Sequence, residues 1–198
     1  MKTRVLGFSG QIASGKTTIS QAVAAKLGWR WFGFGEFLRH EAMRKGLNPS
    51  DRFVLKRLGK DAIEIGWESF CTNVLRGAQW QPNEGLVLDG IRHIEAIQTL
   101  RKLTYPTDVR LIFVSTAQDV RKSRVLNCGG SEEIRSLDAD ALEAQVQGDL
   151  SARSDVTVDG ALSVEECAMG VLNWLVGLGK GQAHTNDVAT QSLRRTTD

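Results

Sequence analysis

The stretch Gly10-Gln-Ile-Ala-Ser-Gly15-Lys16-Thr17 constrains this chain more than any other. It follows the apolar run Val5-Leu6-Gly7-Phe8 and precedes the helix-prone segment Thr18 to Leu27. Glycine, four residues, then Gly-Lys-Thr, with a strand before and a helix after, is the pattern of a phosphate-binding loop. Glycines at both ends let the backbone fold back so that successive N–H groups point into one concavity, and the helix that begins near Lys16 adds its positive end. The expected contacts to a nucleotide's phosphates come from Gly10, Ala13, Ser14, Gly15, Lys16, Thr17 and Thr18. Lys16 brings a full charge to the β/γ-phosphate position, and the Thr17 hydroxyl is placed to hold Mg²⁺.

Composition narrows the setting. The 198 residues fit one domain with its own core. A formal charge of +2 gives no reason to expect a nucleic-acid or membrane surface, and Cys71, Cys128 and Cys167 are odd in number and far apart. Neither a disulfide framework nor a zinc site follows from them, so a reducing cytoplasm is the expected compartment. No run approaches the roughly 20 apolar residues of a membrane span, and a strand at the very start leaves no room for a signal peptide.

Along the chain, apolar runs alternate with helical periodicity. Val5–Phe8 reads as a buried strand, with Ile19, Val23 and Leu27 on the next helix and Gly28 as its cap. Trp29 to Gly35 reads as a second strand ending at Gly33–Gly35. Residues 36–76 form a helical insertion, with a helix start at Asn48-Pro49-Ser50-Asp51 and a break at Gly66. Leu86–Asp89 is a strand ending in a carboxylate, Val109–Val114 a fourth strand, and Asp155–Val158 a fifth. Thr116-x-x-Asp119 and Ser163-x-x-Glu166 have the spacing of capping boxes. A further helix is expected from about Ala139, and 179–198, Gly/Thr/Gln/Asn-rich and aperiodic, is expected to be a disordered tail after a domain of residues 1–178. Strands alternating with helices imply a three-layer α/β fold with a mostly parallel sheet.

Two groups of side chains carry chemistry. Asp89, at the end of an apolar strand, suits the second carboxylate that holds Mg²⁺ beside the loop; its alternatives are a helix cap or a salt bridge at the core edge. Arg39, Arg92, Arg121 and Arg124 each follow a strand's carboxyl end, where ligands of open α/β sheets bind. Taken singly each is an ordinary solvated charge. Taken together they mark a place for a second phosphorylated molecule. His40, His93 and His184 have no metal-ligand spacing, and Trp29, Trp31 and Trp67 read as core.

Over residues 3–176 the sequence resembles the nucleoside monophosphate kinase family of P-loop kinases. Phe34-Gly35-Glu36-Phe37-Leu38-Arg39 is similar to that family's Gly-Asp-x-Leu-Arg element, and Leu88-Asp89-Gly90-Ile91-Arg92 to its strand-end Asp-Gly-x-x-Arg, shortened by one residue. That shortening, with Leu58-Gly59-Lys60-Asp61, resembles the phage-type deoxynucleoside monophosphate kinases more than the adenylate kinases. The resemblance implies a P-loop NTPase sheet of order 2-3-1-4-5, ATP and Mg²⁺ as donor, and closure of the insertion and of a short lid over 121–137. It implies an acceptor site at Gly35, Glu36, Arg39 and Arg92, and catalytic roles for Lys16, Arg92, Arg121 and Arg124. The lid is shorter than the family's, and Arg57 and Arg135 are possible substitutes for its missing arginines. The expected partner is a nucleotide acceptor, with no nucleic acid or membrane, on a monomer or weak homodimer.

Two other readings stay open. Dephospho-coenzyme A kinases phosphorylate an alcohol and carry Asp-x-Asp after the second strand; here Glu36 is the one carboxylate at that place, available as a base. A nucleotide-dependent switch or ATPase is the other, and it would be expected to carry an added oligomerisation or effector element.

Overall fold

The computed structural model describes the backbone of residues 3–127 and 146–192, and the side chains of 3–127 and 148–178. Five strands form one all-parallel sheet of order β2-β3-β1-β4-β5, as expected. They are β1 (Arg4–Ser9), β2 (Arg30–Gly33), β3 (Leu86–Asp89), β4 (Asp108–Ser115) and β5 (Val156–Asp159). Successive side chains of a strand point to opposite faces, so a strand covered on both sides must be apolar without alternation. β1 and β3 show this directly, since every residue of both is buried.

One face of the sheet, with Leu6, Phe8, Val87, Ile112 and Val114, packs on α1 (Lys16–Leu27) and on the last helix, α7 (Val164–Ser192). Val5, Leu88, Leu111 and Phe113 share the opposite core with α4 (Trp67–Gly77) and α5 (Ile94–Leu103). Trp29 and Trp31 pack against the first core and Trp67 against the second, as read from sequence.

Residues 34–77 form the expected helical insertion: α2 (Phe34–Arg44), α3 (Arg52–Ile65) and α4. Asp51 caps α3, its carboxylate accepting the Phe53 and Val54 N–H groups at 2.8 and 3.4 Å. Gly66, at φ 134°, allows the sharp turn between α3 and α4.

The second capping box is as expected: the Ser163 hydroxyl accepts the Glu166 N–H at 3.2 Å while Glu166 accepts the Ser163 N–H at 3.0 Å. The Ser163 hydroxyl, donating to the Glu166 carboxylate at 2.6 Å, and then the Ser163 N–H hold the Glu166 carboxyl below its ordinary range. The first is different. The helix α6 (Gln118–Asn127) begins two residues after Thr116, and the hydrogen bond that the Thr116 hydroxyl donates goes to the Ser14 carbonyl at 3.0 Å.

α7 runs to Ser192, into the segment from 179 where a tail was expected; that stretch holds no proline to stop a helix. Val146–Leu150 is a π turn that places Leu150 in the core. The lid loop after Asn127, with Arg135, and the start of the helix expected at Ala139 lie outside the described residues. No described helix is long and apolar enough to cross a membrane.

Candidate active site

β1 ends at Ser9 and the chain turns through Gly10, at φ 152°, into the loop. A Cβ on Gly10 would lie 2.6 Å from the Val114 carbonyl oxygen and 2.8 Å from Ser14 Oγ, so only glycine fits this close passage. Gly15, at φ 89°, opens α1, and Ala13, at φ 62°, takes a left-handed conformation that side chains disfavour. The left-handed positions turn the loop into a concavity of N–H groups at the helix's positive end. Inside it, Lys16 folds onto the loop itself, its Nζ donating to the Gln11 carbonyl at 3.2 Å. The first turn of α1 is tied down behind: Trp31 Nε1 donates to Ser20 Oγ at 2.9 Å, and Ser20 Oγ to the Thr17 carbonyl at 2.9 Å.

Parallel pairing of β1 with β3 sets Phe8 opposite Asp89, which brings the end of β3 beside the loop. Thr17 Oγ1 donates to Asp89 Oδ2 at 2.6 Å. Asp89 is 7% exposed, and its other oxygen, Oδ1, is buried with no hydrogen-bond partner. A buried carboxylate oxygen without a partner is costly, a cost that a bound cation would offset. Hydroxyl and carboxylate oxygens are the hard donors that Mg²⁺ takes, so Thr17 and Asp89 fit the expected metal pair. The hydroxyls of Ser9 and Ser14, on either side of Gly10, are also buried without a partner.

The residues expected to meet an acceptor lie on the other side of Asp89. Gly33 stands opposite Asp89 in the β2–β3 register, and a Cβ there would be 3.8 Å from Asp89 Cβ and 3.7 Å from the Glu36 nitrogen. The start of α2 is thereby set against the end of β3. On α2, Glu36 takes Arg39 Nη1 on one oxygen at 2.9 Å and pairs with His40 Nε2 through the other at 3.2 Å. Gly35 lies beneath the Arg39 guanidinium, which a Cβ would meet at 3.7 Å. Arg92 is half-buried three residues past Asp89. His93, which follows Arg92, places its ring 5.0 Å from that of Trp67, tilted by 53°. Nothing in their spacing along the chain connects them.

Arg121 and Arg124 reach the loop from outside. Arg121, 6% exposed, donates to the Ile12 carbonyl at 3.3 Å; Arg124 donates to those of Ala13 and Ser14 at 3.3 and 3.1 Å. Both were expected in a lid, as catalytic arginines; in the structure their contacts are with the carbonyls of the loop. Thr116, which the sequence singled out only as a helix cap, and Gly160, which it did not single out, complete this arrangement.

Elsewhere the described side chains offer no rival chemistry. Burial pushes the Cys71 thiol up to about 12, and burial with the Asp159 and Glu166 charges raises Cys167, so neither is a nucleophile near neutrality. No group of three or more metal-ligating His, Cys, Asp or Glu occurs among the described residues. A crevice between α2, α3 and α4, floored by Phe37, Leu58 and Phe70, includes no residue of the loop and not Asp89.

A parallel 2-3-1-4-5 sheet, with this loop after its central strand and a carboxylate on the neighbouring strand, defines a P-loop kinase fold. Solved structures agree. The chain is similar to a gluconokinase from Sinorhizobium meliloti, with a TM-score of 0.61 at 16% identity over 92% of this chain and 97% of that one. It is similar to the APS kinase of Mycobacterium tuberculosis in complex with AMPPNP and APS, at 0.58 and 18%, covering 88% and 98%. With shikimate kinase from Aquifex aeolicus the values are 0.57 and 17%, over 89% and 99%.

In sequence, the chain is 31% identical over 168 residues to a UPF0200 protein of Pyrobaculum aerophilum, covering 82% of this chain and 91% of that protein. Another, from Methanothrix thermoacetophila, is 30% identical over 175 residues, covering 79% and 91%. The chain belongs to the UPF0200 family. No family model matches it.

Proposed function

We propose that this protein is an ATP- and Mg²⁺-dependent phosphotransferase that moves the γ-phosphate of ATP to the phosphate of a (deoxy)nucleoside monophosphate. The observation that carries this reading is the 2.6 Å bond from Thr17 to the half-satisfied Asp89. It joins the donor loop to the strand end whose next residues are Gly90-Ile91-Arg92 and whose neighbour across the sheet opens the Glu36–Arg39–His40 group.

Phosphoryl transfer depends on positioning and on charge placed around the moving oxygens. The loop's N–H groups hold the donor's phosphates, and Lys16 leaves the Gln11 carbonyl to meet the β/γ oxygens. When bound at Thr17 and Asp89, Mg²⁺ would neutralise charge on the donor's phosphates. Arg39 and Arg92 hold the acceptor's phosphate, with Arg39 exchanging its bond to Glu36 for a phosphate oxygen. A phosphate acceptor is already ionised and needs no base, which suits a Glu36 with one oxygen bonded to the Arg39 guanidinium and the other 3.2 Å from His40 Nε2.

The test is a coupled ADP-release screen over ribo- and deoxyribonucleoside monophosphates plus dephospho-coenzyme A. Acceptor-dependent release with one or a few monophosphates is expected. Turnover only on dephospho-coenzyme A would assign Glu36 the role of base. Equal hydrolysis with and without any acceptor would make the protein an ATPase or switch.

A further inference from the structure

Three consecutive peptide groups of the phosphate-binding loop have their carbonyls bonded from behind. Arg121 takes that of Ile12, Arg124 takes those of Ala13 and Ser14, and the Thr116 hydroxyl also donates to Ser14. Arg124 reaches further, its Nη2 donating to the Gly160 carbonyl at 2.7 Å, in the turn between β5 and α7. Gly160 is buried, and a Cβ there would collide with the Ser14 carbonyl and the Thr116 hydroxyl. One guanidinium therefore ties the loop to the exit of the sheet's edge strand.

A peptide's carbonyl and the N–H that follows belong to one conjugated unit, so a cation on the oxygen strengthens the N–H as a donor. The N–H groups concerned are those of Ala13, Ser14 and Gly15, three of the loop residues expected to meet phosphate. Ser14's N–H is used inside the loop, on the Gln11 carbonyl at 3.2 Å. Ala13 is held left-handed at φ 62°, a conformation that persists only where the surroundings enforce it. Arg124 bonds its carbonyl and the next one, and Thr116 bonds the next one as well.

We propose that Arg124 is a positioning residue for the donor loop: it acts through the Ala13 and Ser14 peptides and, with Thr116 and Gly160, holds the loop in its phosphate-accepting shape before nucleotide arrives. This rests on the reading of the loop as an ATP site. Arg124 then governs how tightly nucleotide binds, while the rate of transfer depends on Lys16 and on the acceptor's arginines.

The experiment is calorimetric titration of the full chain with Mg-ATP, alongside kcat and KM for ATP with the best acceptor from the screen and a melting curve for each variant. Arg124→Ala is expected to weaken ATP binding about tenfold, the loss of charge-assisted bonds, with kcat at saturating ATP within about threefold of the parent. Arg124→Lys, keeping the charge but not the fork, is expected to recover about half of that loss on a logarithmic scale. Thr116→Val, which removes one neutral bond at nearly constant volume, is expected to weaken ATP binding about threefold. A roughly hundredfold fall in kcat for Arg124→Ala with ATP binding unchanged would overturn the proposal and put the guanidinium on the transferring phosphoryl group. Unchanged ATP binding in both Arg124→Lys and Thr116→Val would also overturn it, and that pair decides the matter if Arg124→Ala does not fold. Failure of the parent chain to bind Mg-ATP at all would instead bring down the underlying reading of the loop.

Discussion

At the two ends of one parallel sheet this protein treats charge in opposite ways. At the amino ends of the strands, Arg4 is 1% exposed and stands opposite Asp108 in the β1–β4 register, bonded to it at 3.1 Å. Asp108 also takes Arg110 at 2.9 Å, Arg110 reaches Asp155 at 2.9 Å, and Asp155 accepts the Leu111 N–H at 2.8 Å. Charges there meet opposite charges. At the carboxyl ends, Asp89 keeps a buried oxygen with no partner, Ser9 and Ser14 keep unpartnered hydroxyls, and Ala13 is strained. The difference teaches which end is finished by folding and which is finished by a ligand, because a native structure tolerates orphaned polar groups where function repays them.

The widest separation of the two ends should come from Lys16→Ala. Loss of a cation placed on developing phosphate charge is expected to lower kcat about a thousandfold, with the melting temperature unchanged. A parallel fall in stability would mean that Lys16 serves the fold.

At the other end, Asp108→Asn is expected to leave kcat alone and to cost about 2 kcal/mol, since it strips the deeply buried Arg4 of its carboxylate. Burial works against the charged form of Asp108, but the bonds from Arg110 and Arg4 outweigh it and hold the carboxyl below its ordinary range. The sign follows from a folded-state pKa lower than the unfolded one. This stabilisation is fully present above about pH 4, the ordinary carboxylate value, and is lost as pH falls through the lower folded value. Melting curves between neutral pH and pH 3 should therefore converge for the parent and Asp108→Asn; curves that stay parallel would deny the network its role.

A smaller effect is expected from Arg39→Ala, whose exposed guanidinium already has Glu36 as partner. The acceptor's KM should rise about tenfold with KM for ATP unaffected. Unaltered acceptor kinetics would move the acceptor site away from α2.

What was legible in the sequence divides along the same line. The loop could be read because its spacing dictates a backbone path: glycines where φ turns positive, Lys and Thr at the helix start. Asp89 could be read because an apolar strand ending in a carboxylate beside such a loop has few other uses. The strand order came with the resemblance, and the register that seats Phe8 against Asp89 confirmed it. Thr116 has a use that its local pattern does not announce. The pattern matches a capping box, while the bond its hydroxyl donates is to Ser14, 102 residues away in sequence, a contact that only tertiary packing creates. Gly160 and the Trp67–His93 pair escaped notice likewise, since neither a buried glycine nor two distant rings leaves a periodic trace. Arg124 was read as a lid arginine, and its bonds to the Ala13 and Ser14 carbonyls depend on how α6 leaves β4, which no local pattern encodes.

Transfer of phosphate to phosphate can be watched by following the γ-phosphorus of ATP with ³¹P NMR during turnover with the best monophosphate acceptor. The prediction is a new diphosphate signal on the acceptor that grows as ATP is consumed, with no matching orthophosphate. A phosphomonoester on a hydroxyl, or orthophosphate in step with ATP loss, would contradict it.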